Sequence, residues 1–218
     1  RVDERTRQLR HLAHHDPLTQ LPNRRHLFEH LQGALRRVGP APGSDRTDAE
    51  RVSLPYDGPR VGLLLLALDN FKVVNDGLGH EVGDAVLQAV GERLRLAVHG
   101  HGFTARLGGD EFTVGCEDAS SVDDVRRLAD RVVAEFQRPL HAGGRELLLG
   151  VSVGASVAPD HAPDAESLLR AADAALFRAQ QYGIPRTCLP DALLADPEIE
   201  IVATLTPQGG PAQTLTAT

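Results

Sequence analysis

Lysine is nearly absent from this 218-residue chain, Lys72 being its sole representative, and cysteine is limited to Cys116 and Cys188. The two cysteines lie far apart in no metal-binding or redox spacing, so a reducing compartment is the default. Arginine supplies the rest of the basic charge, a bias that genome composition produces as readily as function. Acidic residues exceed basic ones, giving a net charge of −7. That balance argues against a nucleic-acid surface, which needs a concentrated basic patch. Long apolar runs are missing too. The longest, "VGLLLLAL" at 61–68, falls far short of the roughly 20 residues of a membrane span, so no membrane contact is expected of this segment. No signal peptide is visible. The chain opens at Arg1 without a Met and is read as part of something longer, cytoplasmic or the cytoplasmic part of a membrane-anchored protein.

What is present is ordinary globular composition, with 41% hydrophobic and 24% charged residues. Residues 1–15 read as a charged helix in which Val2, Leu9 and Leu12 fit heptad positions and Arg5 breaks the seam. Asp16-Pro17 suits a helix or turn start, and Leu27, Leu31, Leu35 and Val38 follow at helical spacing. Gly, Pro and charge dominate 39–60, which reads as a long loop. A buried strand is expected at 60–68 and a helix near 80–98, with Val82, Val86, Leu87, Val90, Leu94 and Val98 on one side. Two short strands flank Gly108-Gly109, a second amphipathic helix spans 121–136, and 146–158 reads as one strand preceded by a hairpin through Gly143-Gly144. A last helix is stopped by Gly183 and Pro185, and a Pro/Thr/Gly-rich tail follows. The order β-α-β-β-α-β-α, with its hairpin, predicts an α+β sandwich of helices on a mixed sheet.

Chemistry is suggested by "RLGGDEF" at 106–112, which sets Asp110 and Glu111 side by side behind a Gly-Gly pair. Adjacent carboxylates at a tight turn repel each other, and a cation, a substrate proton or plain solvent can relieve that. A strand ending near 68 and a hairpin tip at 108–111 are placed to hold Mg²⁺ by a few oxygens, nucleotide phosphates completing the shell. On spacing alone such a hairpin is more often a solvated turn.

"DPLTQLPNRR", "LDNFKVVNDGLGHEVGDAVL", "RLGGDEF", "VSVGAS" and "ADAALFRAQQYG" occur in that order, and together they resemble the GGDEF domain of diguanylate cyclases. The resemblance divides the chain into a signalling helix at 1–15, a GGDEF domain at 16–188 carrying the 39–60 insertion, and a tail at 189–218. It implies a palm-like fold related to nucleotide cyclases, and condensation of two GTP into cyclic di-GMP across a dimer. Asn75 and Asp84 match the guanine-reading pair, since Asp accepts from N1–H and the 2-amino group while Asn donates and accepts along the same edge. Gly108, Gly109 and Lys72 match phosphate-contacting positions. Asp110 and the Leu68 carbonyl match metal ligands, Asp110 and Glu111 the catalytic acidic pair, and Gly79, His80 and Gly83 also agree with the pattern.

Three charged positions depart from it. The family's D-x-D-x-F-K reads Ala67-Leu68-Asp69-Asn70-Phe71-Lys72 here, so Ala67 replaces a metal carboxylate. Asp69 lies two residues further, about 6–7 Å along extended chain, and is a weak candidate ligand. The family's A-K-x-x-G-R-N reads from Ala179 to Pro185, with Gln180 for Lys and Ile184 for Arg. Arg178 and Arg186 flank those positions. The product-inhibition R-x-x-D is absent, His99 and Gly102 standing in its place. Losing one preorganised transition-state donor costs about two to three decades in rate. The expectation is a degenerate GGDEF domain acting as a regulatory and dimerisation module that still binds GTP or GDP, with Mg²⁺ arriving only alongside nucleotide. The expected partners are a second copy, an upstream sensor, and a phosphodiesterase domain or protein. The alternatives are a working cyclase and a nucleotide-independent scaffold.

Overall fold

The computed structural model describes residues 13–38, 58–100 and 102–181, with the backbone of 187–188. The helix expected over 1–15 lies outside them except for its last three residues, as do most of the 39–60 loop, Ile184 and the 189–218 tail. Five helices and seven strands are described: α1 (Arg24–Val38), β1 (Arg60–Leu68), α2 (Phe71–Leu78), α3 (His80–Ala97), β2 (Phe103–Gly108), β3 (Glu111–Ala119), α4 (Val122–Glu135), β4 (Leu140–Ala142), β5 (Arg145–Leu147), β6 (Val151–Ala158), α5 (Ala165–Gln181) and β7 (Thr187–Cys188).

The main sheet runs β2-β3-β1-β6-β7, antiparallel throughout except for the β6–β7 pair, and β4–β5 form a separate hairpin. The continuous apolarity of β1 is explained by its central place and by cover on both faces. Val61, Leu63, Leu65 and Ala67 pack with α1 and α5, whereas Leu64, Leu66 and Leu68 pack with residues of α3 and α4. Burial of each such leucine contributes about 1.5–3 kcal/mol. α5 lies close on β6, where a side chain at Gly154 would collide with the backbone of Ala172 and Leu176. α4 begins with a capping box in which Ser121 and Asp124 satisfy each other's backbone N–H groups.

Two sequence expectations change. The single strand expected over 146–158 is broken into β5 and β6, with Leu148 69% exposed at the break. Gly150 sits at the break too. Its carbonyl accepts from Asp69 N–H at 2.9 Å, and a Cβ there would lie 2.6 Å from Asp69 Oδ2. Helix α2 was not foreseen, because its Val73-Val74 pair and Asn-Asp-Gly run weaken helical propensity. Phe71 and Val74 bury one side of it, and tertiary packing outweighs propensity.

Candidate active site

The candidate site forms around the C-terminal end of β1. Ala67 stands directly across from Glu111 on one side and Ser152 on the other. Directly opposed residues share a sheet face, so the methyl of Ala67 lies between a carboxylate and a hydroxyl. Asp69 follows beyond the strand. Ser152 Oγ donates to its Oδ1 at 2.7 Å. Burial pushes the Asp69 carboxyl above its ordinary value, with the Ser152 bond opposing.

Opposite β1, the hairpin turns through Gly108 (φ +140°) and Gly109 (φ +53°), conformations that L side chains rarely adopt. An added Cβ would meet nothing within 4 Å at either glycine. Backbone geometry therefore dictates glycine here, and the turn stays open to a ligand. Arg106 braces it from behind: Nε and Nη2 donate to the Gly109 carbonyl at 3.1 and 2.7 Å. Its third nitrogen, Nη1, donates to Asp16 Oδ1 at 2.8 Å. Thr19 N–H and Oγ1 donate to that same oxygen, each at 2.8 Å. Burial raises the Asp16 carboxyl, but the Thr19 and Arg106 bonds outweigh it and hold it below the usual carboxylate range. The "DPLT" and "GGDEF" stretches are thus two halves of one ionic staple.

Glu111 lines a cleft of about 510 Å³ with Asp173, Phe177, Arg178 and Gln180 of α5. Burial first, then Asp110 and Asp173, push its carboxyl up, and Arg24 opposes them. Asp173 was not singled out from the sequence, and neither was the cleft position of Arg178. Both lie on a helix whose approach to the hairpin depends on the β1–β6 pairing. Arg178 is half-buried, and among the described residues no hydrogen bond or ion pair engages it.

The corner at Gly79, whose N–H donates to the Asn75 carbonyl at 2.9 Å, brings Asn75 of α2 against Gly83 of α3, the residue before Asp84. Gly83 makes this approach feasible, since any side chain there would collide with Asn75 Oδ1. Neither the Asn75 amide nor the Asp84 carboxylate hydrogen-bonds within the described residues, and Lys72 is exposed in the first turn of α2.

Among the described residues, no group of three or more His, Cys, Asp or Glu side chains is arranged to hold a metal ion. With a methyl opposite Glu111 and Asp69 engaged by Ser152, the side chains present do not fit a resident Mg²⁺.

A family model described as "Diguanylate cyclase, GGDEF domain" matches residues 13–185. The chain belongs to the GGDEF family. The GGDEF domain is 36% identical over 176 residues to the signaling protein YkoW of Bacillus subtilis, covering 80% of this chain and 20% of that one. It is 36% identical over 177 residues to the bifunctional diguanylate cyclase/cyclic di-GMP phosphodiesterase MucR of Pseudomonas aeruginosa, covering 81% and 23%. The solved GGDEF domain of TpbB (YfiN) from Pseudomonas aeruginosa is similar at TM-score 0.69 and 32% identity, covering 81% of this chain and 94% of that one. The chain thus spans about a fifth of the length of these first two relatives. The expected α+β palm-like architecture is the observed one.

Proposed function

We propose that this GGDEF domain is a catalytically degenerate regulatory and dimerisation module of cyclic di-GMP signalling that retains guanine-nucleotide recognition. The observation that carries the reading is Ala67, placed in register with Glu111 where the family pattern carries a metal carboxylate. Gln180, exposed on the cleft wall, supplies an amide where that pattern has Lys. Recognition is supported by the Asn75 amide and Asp84 carboxylate, which hydrogen-bond to none of the described residues, for the guanine edge. The open Gly108-Gly109 turn, Lys72 and Arg178 are available to phosphate. A Mg²⁺ would come with the nucleotide, whose phosphates add oxygens to those of Asp110 and the Leu68 carbonyl. Asp69 is a poorer ligand while Ser152 holds it.

The proposed setting is cytoplasmic, as a homodimer with an upstream sensor and a phosphodiesterase domain or protein. MucR, by its name, joins cyclase and phosphodiesterase in one chain. Among the described residues no helix is long and apolar enough to cross a membrane.

Incubation with GTP and Mg²⁺ tests the reading: nucleotide binding without cyclic di-GMP formation is expected. Turnover at the rate of a working cyclase would overturn it in favour of the second reading, an active enzyme, which the intact Asp110-Glu111 pair favours, as does Arg178, engaged by no partner among the described residues. Absence of GTP binding by calorimetry would leave a scaffold.

A further inference from the structure

Helix α3 carries a buried glycine, Gly83, at its fourth position, and in a helix interior glycine is less favourable than any residue but proline. The backbone does not require it, because Gly83 is not among the residues at positive φ. The reason lies across the corner, on α2. A Cβ built on Gly83 would collide with Asn75 Oδ1, and it would stand 3.0 Å from Asn75 Cγ and 3.4 Å from Phe71 Cζ. The end of the Asn75 side chain therefore occupies the volume that an alanine methyl would fill. Of its two terminal atoms, Oδ1 is the one seated on Gly83, and Nδ2 lies further away.

The main chain fixes this approach. Gly79, at φ +88° between the helices, donates its N–H to the Asn75 carbonyl at 2.9 Å. Gly83 N–H in turn donates to the Gly79 carbonyl at 3.1 Å. Phe71, one turn before Asn75 and 8% exposed, anchors the start of α2 in the core. Asn75 is thus tied to the corner by its backbone, with its side-chain oxygen set against α3 at the residue before Asp84.

We propose that Gly83 is a positioning residue of the guanine site: by leaving room for Asn75 Oδ1, it holds Nδ2 turned outward as a fixed donor to O6 of the base. The inference rests on the reading that this domain recognises guanine. Guanine presents O6 as an acceptor, whereas adenine presents a donor at N6. A donor held at Nδ2 satisfies O6 and meets a second donor in adenine. An amide free to turn over offers its oxygen to N6 equally well, and the distinction is lost. Base preference is thus set in part by a residue that has no side chain to offer a ligand.

Gly83→Ala tests this. The added methyl meets the end of a side chain rather than backbone, so the variant is expected to fold, checked by circular dichroism, with the Asn75 amide turned aside. Calorimetry with GTP and with ATP is expected to show the wild type favouring GTP and the variant losing about tenfold of that preference, through weaker GTP binding. A merely structural glycine would lower both affinities alike. In an Asn75→Ala background, Gly83→Ala is expected to cost no further selectivity and to raise Tm, because the obstruction is gone and alanine is the better helix former. Gly83→Ala that keeps the wild-type preference, or that costs the same with and without Asn75, overturns the proposal and leaves guanine recognition standing. So does a double variant that melts below Asn75→Ala. A wild type that binds GTP no better than ATP overturns both.

Discussion

Ala67 and Glu111 are direct partners across β1 and β3, and Ser152 flanks Ala67 from the other side. Ala67 is 5% exposed, so a carboxylate placed there would be largely desolvated and set against Glu111. Ala67→Asp is therefore expected to destabilise the metal-free domain by about 1–3 kcal/mol, a Tm loss of roughly 2–10 °C. Added Mg²⁺ should restore part of that loss in the variant and leave the wild type unmoved. Thermal melts with EDTA and with Mg²⁺ check both outcomes.

Restoring all three charges together, Ala67→Asp with Gln180→Lys and Ile184→Arg, is expected to produce cyclic di-GMP from GTP where the parent does not. Single restorations should fall short, because groups acting on one transition state are not additive. Product chromatography after incubation with GTP and Mg²⁺ is the readout.

Asn75→Ala and Asp84→Ala are each expected to weaken GTP binding by about tenfold or more, from the loss of hydrogen bonds worth roughly 1–3 kcal/mol. Neither side chain has a described protein hydrogen bond, so Tm should change little. Arg178→Gln should weaken GTP binding and spare guanosine, because it removes a cation from the phosphate side alone. Calorimetry with the two ligands separates the base and phosphate contributions.

Arg106→Ala leaves Asp16 without its cation and the Gly109 carbonyl without its donors. The guanidinium is 9% exposed and Asp16 18%, and breaking such a pair costs about 3–5 kcal/mol. Urea unfolding should show that loss. The folded-state value of Asp16 is depressed, so its stabilising contribution is present above the unfolded carboxylate value and disappears as pH falls through the folded one. The wild-type advantage over Asp16→Asn should shrink along that acid limb.

Glu111 titrates the opposite way. Burial, Asp110 and Asp173 raise its folded-state value, so stability declines as pH rises from the unfolded carboxylate value through the raised one. Glu111→Gln is expected to raise Tm at pH 7 by on the order of 1 °C, with no gain near pH 4. Paired melts at the two pH values check the sign.

Most of the fold was legible because the strongest signals are local. β1 at 60–68 follows from an unbroken apolar run, α3 from its valines and leucines at helical spacing, and the hairpin from two glycines between strand-like segments. The break at Gly150 was hidden because its cause, the packing of Asp69, lies some eighty residues away in sequence. α2 was hidden because its few helix-forming residues win only through Phe71 and Val74 reaching the core.

By itself the sequence determined that Asp110 and Glu111 sit behind a glycine turn, and that Ala67, Gln180 and Ile184 lack the family's charges, since residue identity and spacing along one chain decide both. Tertiary structure decided which groups face one another. It set Ala67 against Glu111, turned Asp69 to Ser152, placed Arg178 in the cleft, and tied Asp16 through Arg106 to the Gly109 carbonyl. Those relations depend on strand register and helix packing, long-range terms that no local pattern encodes. The two carboxylates of the signature turn are thus written in the chain, and what surrounds them is settled by the fold.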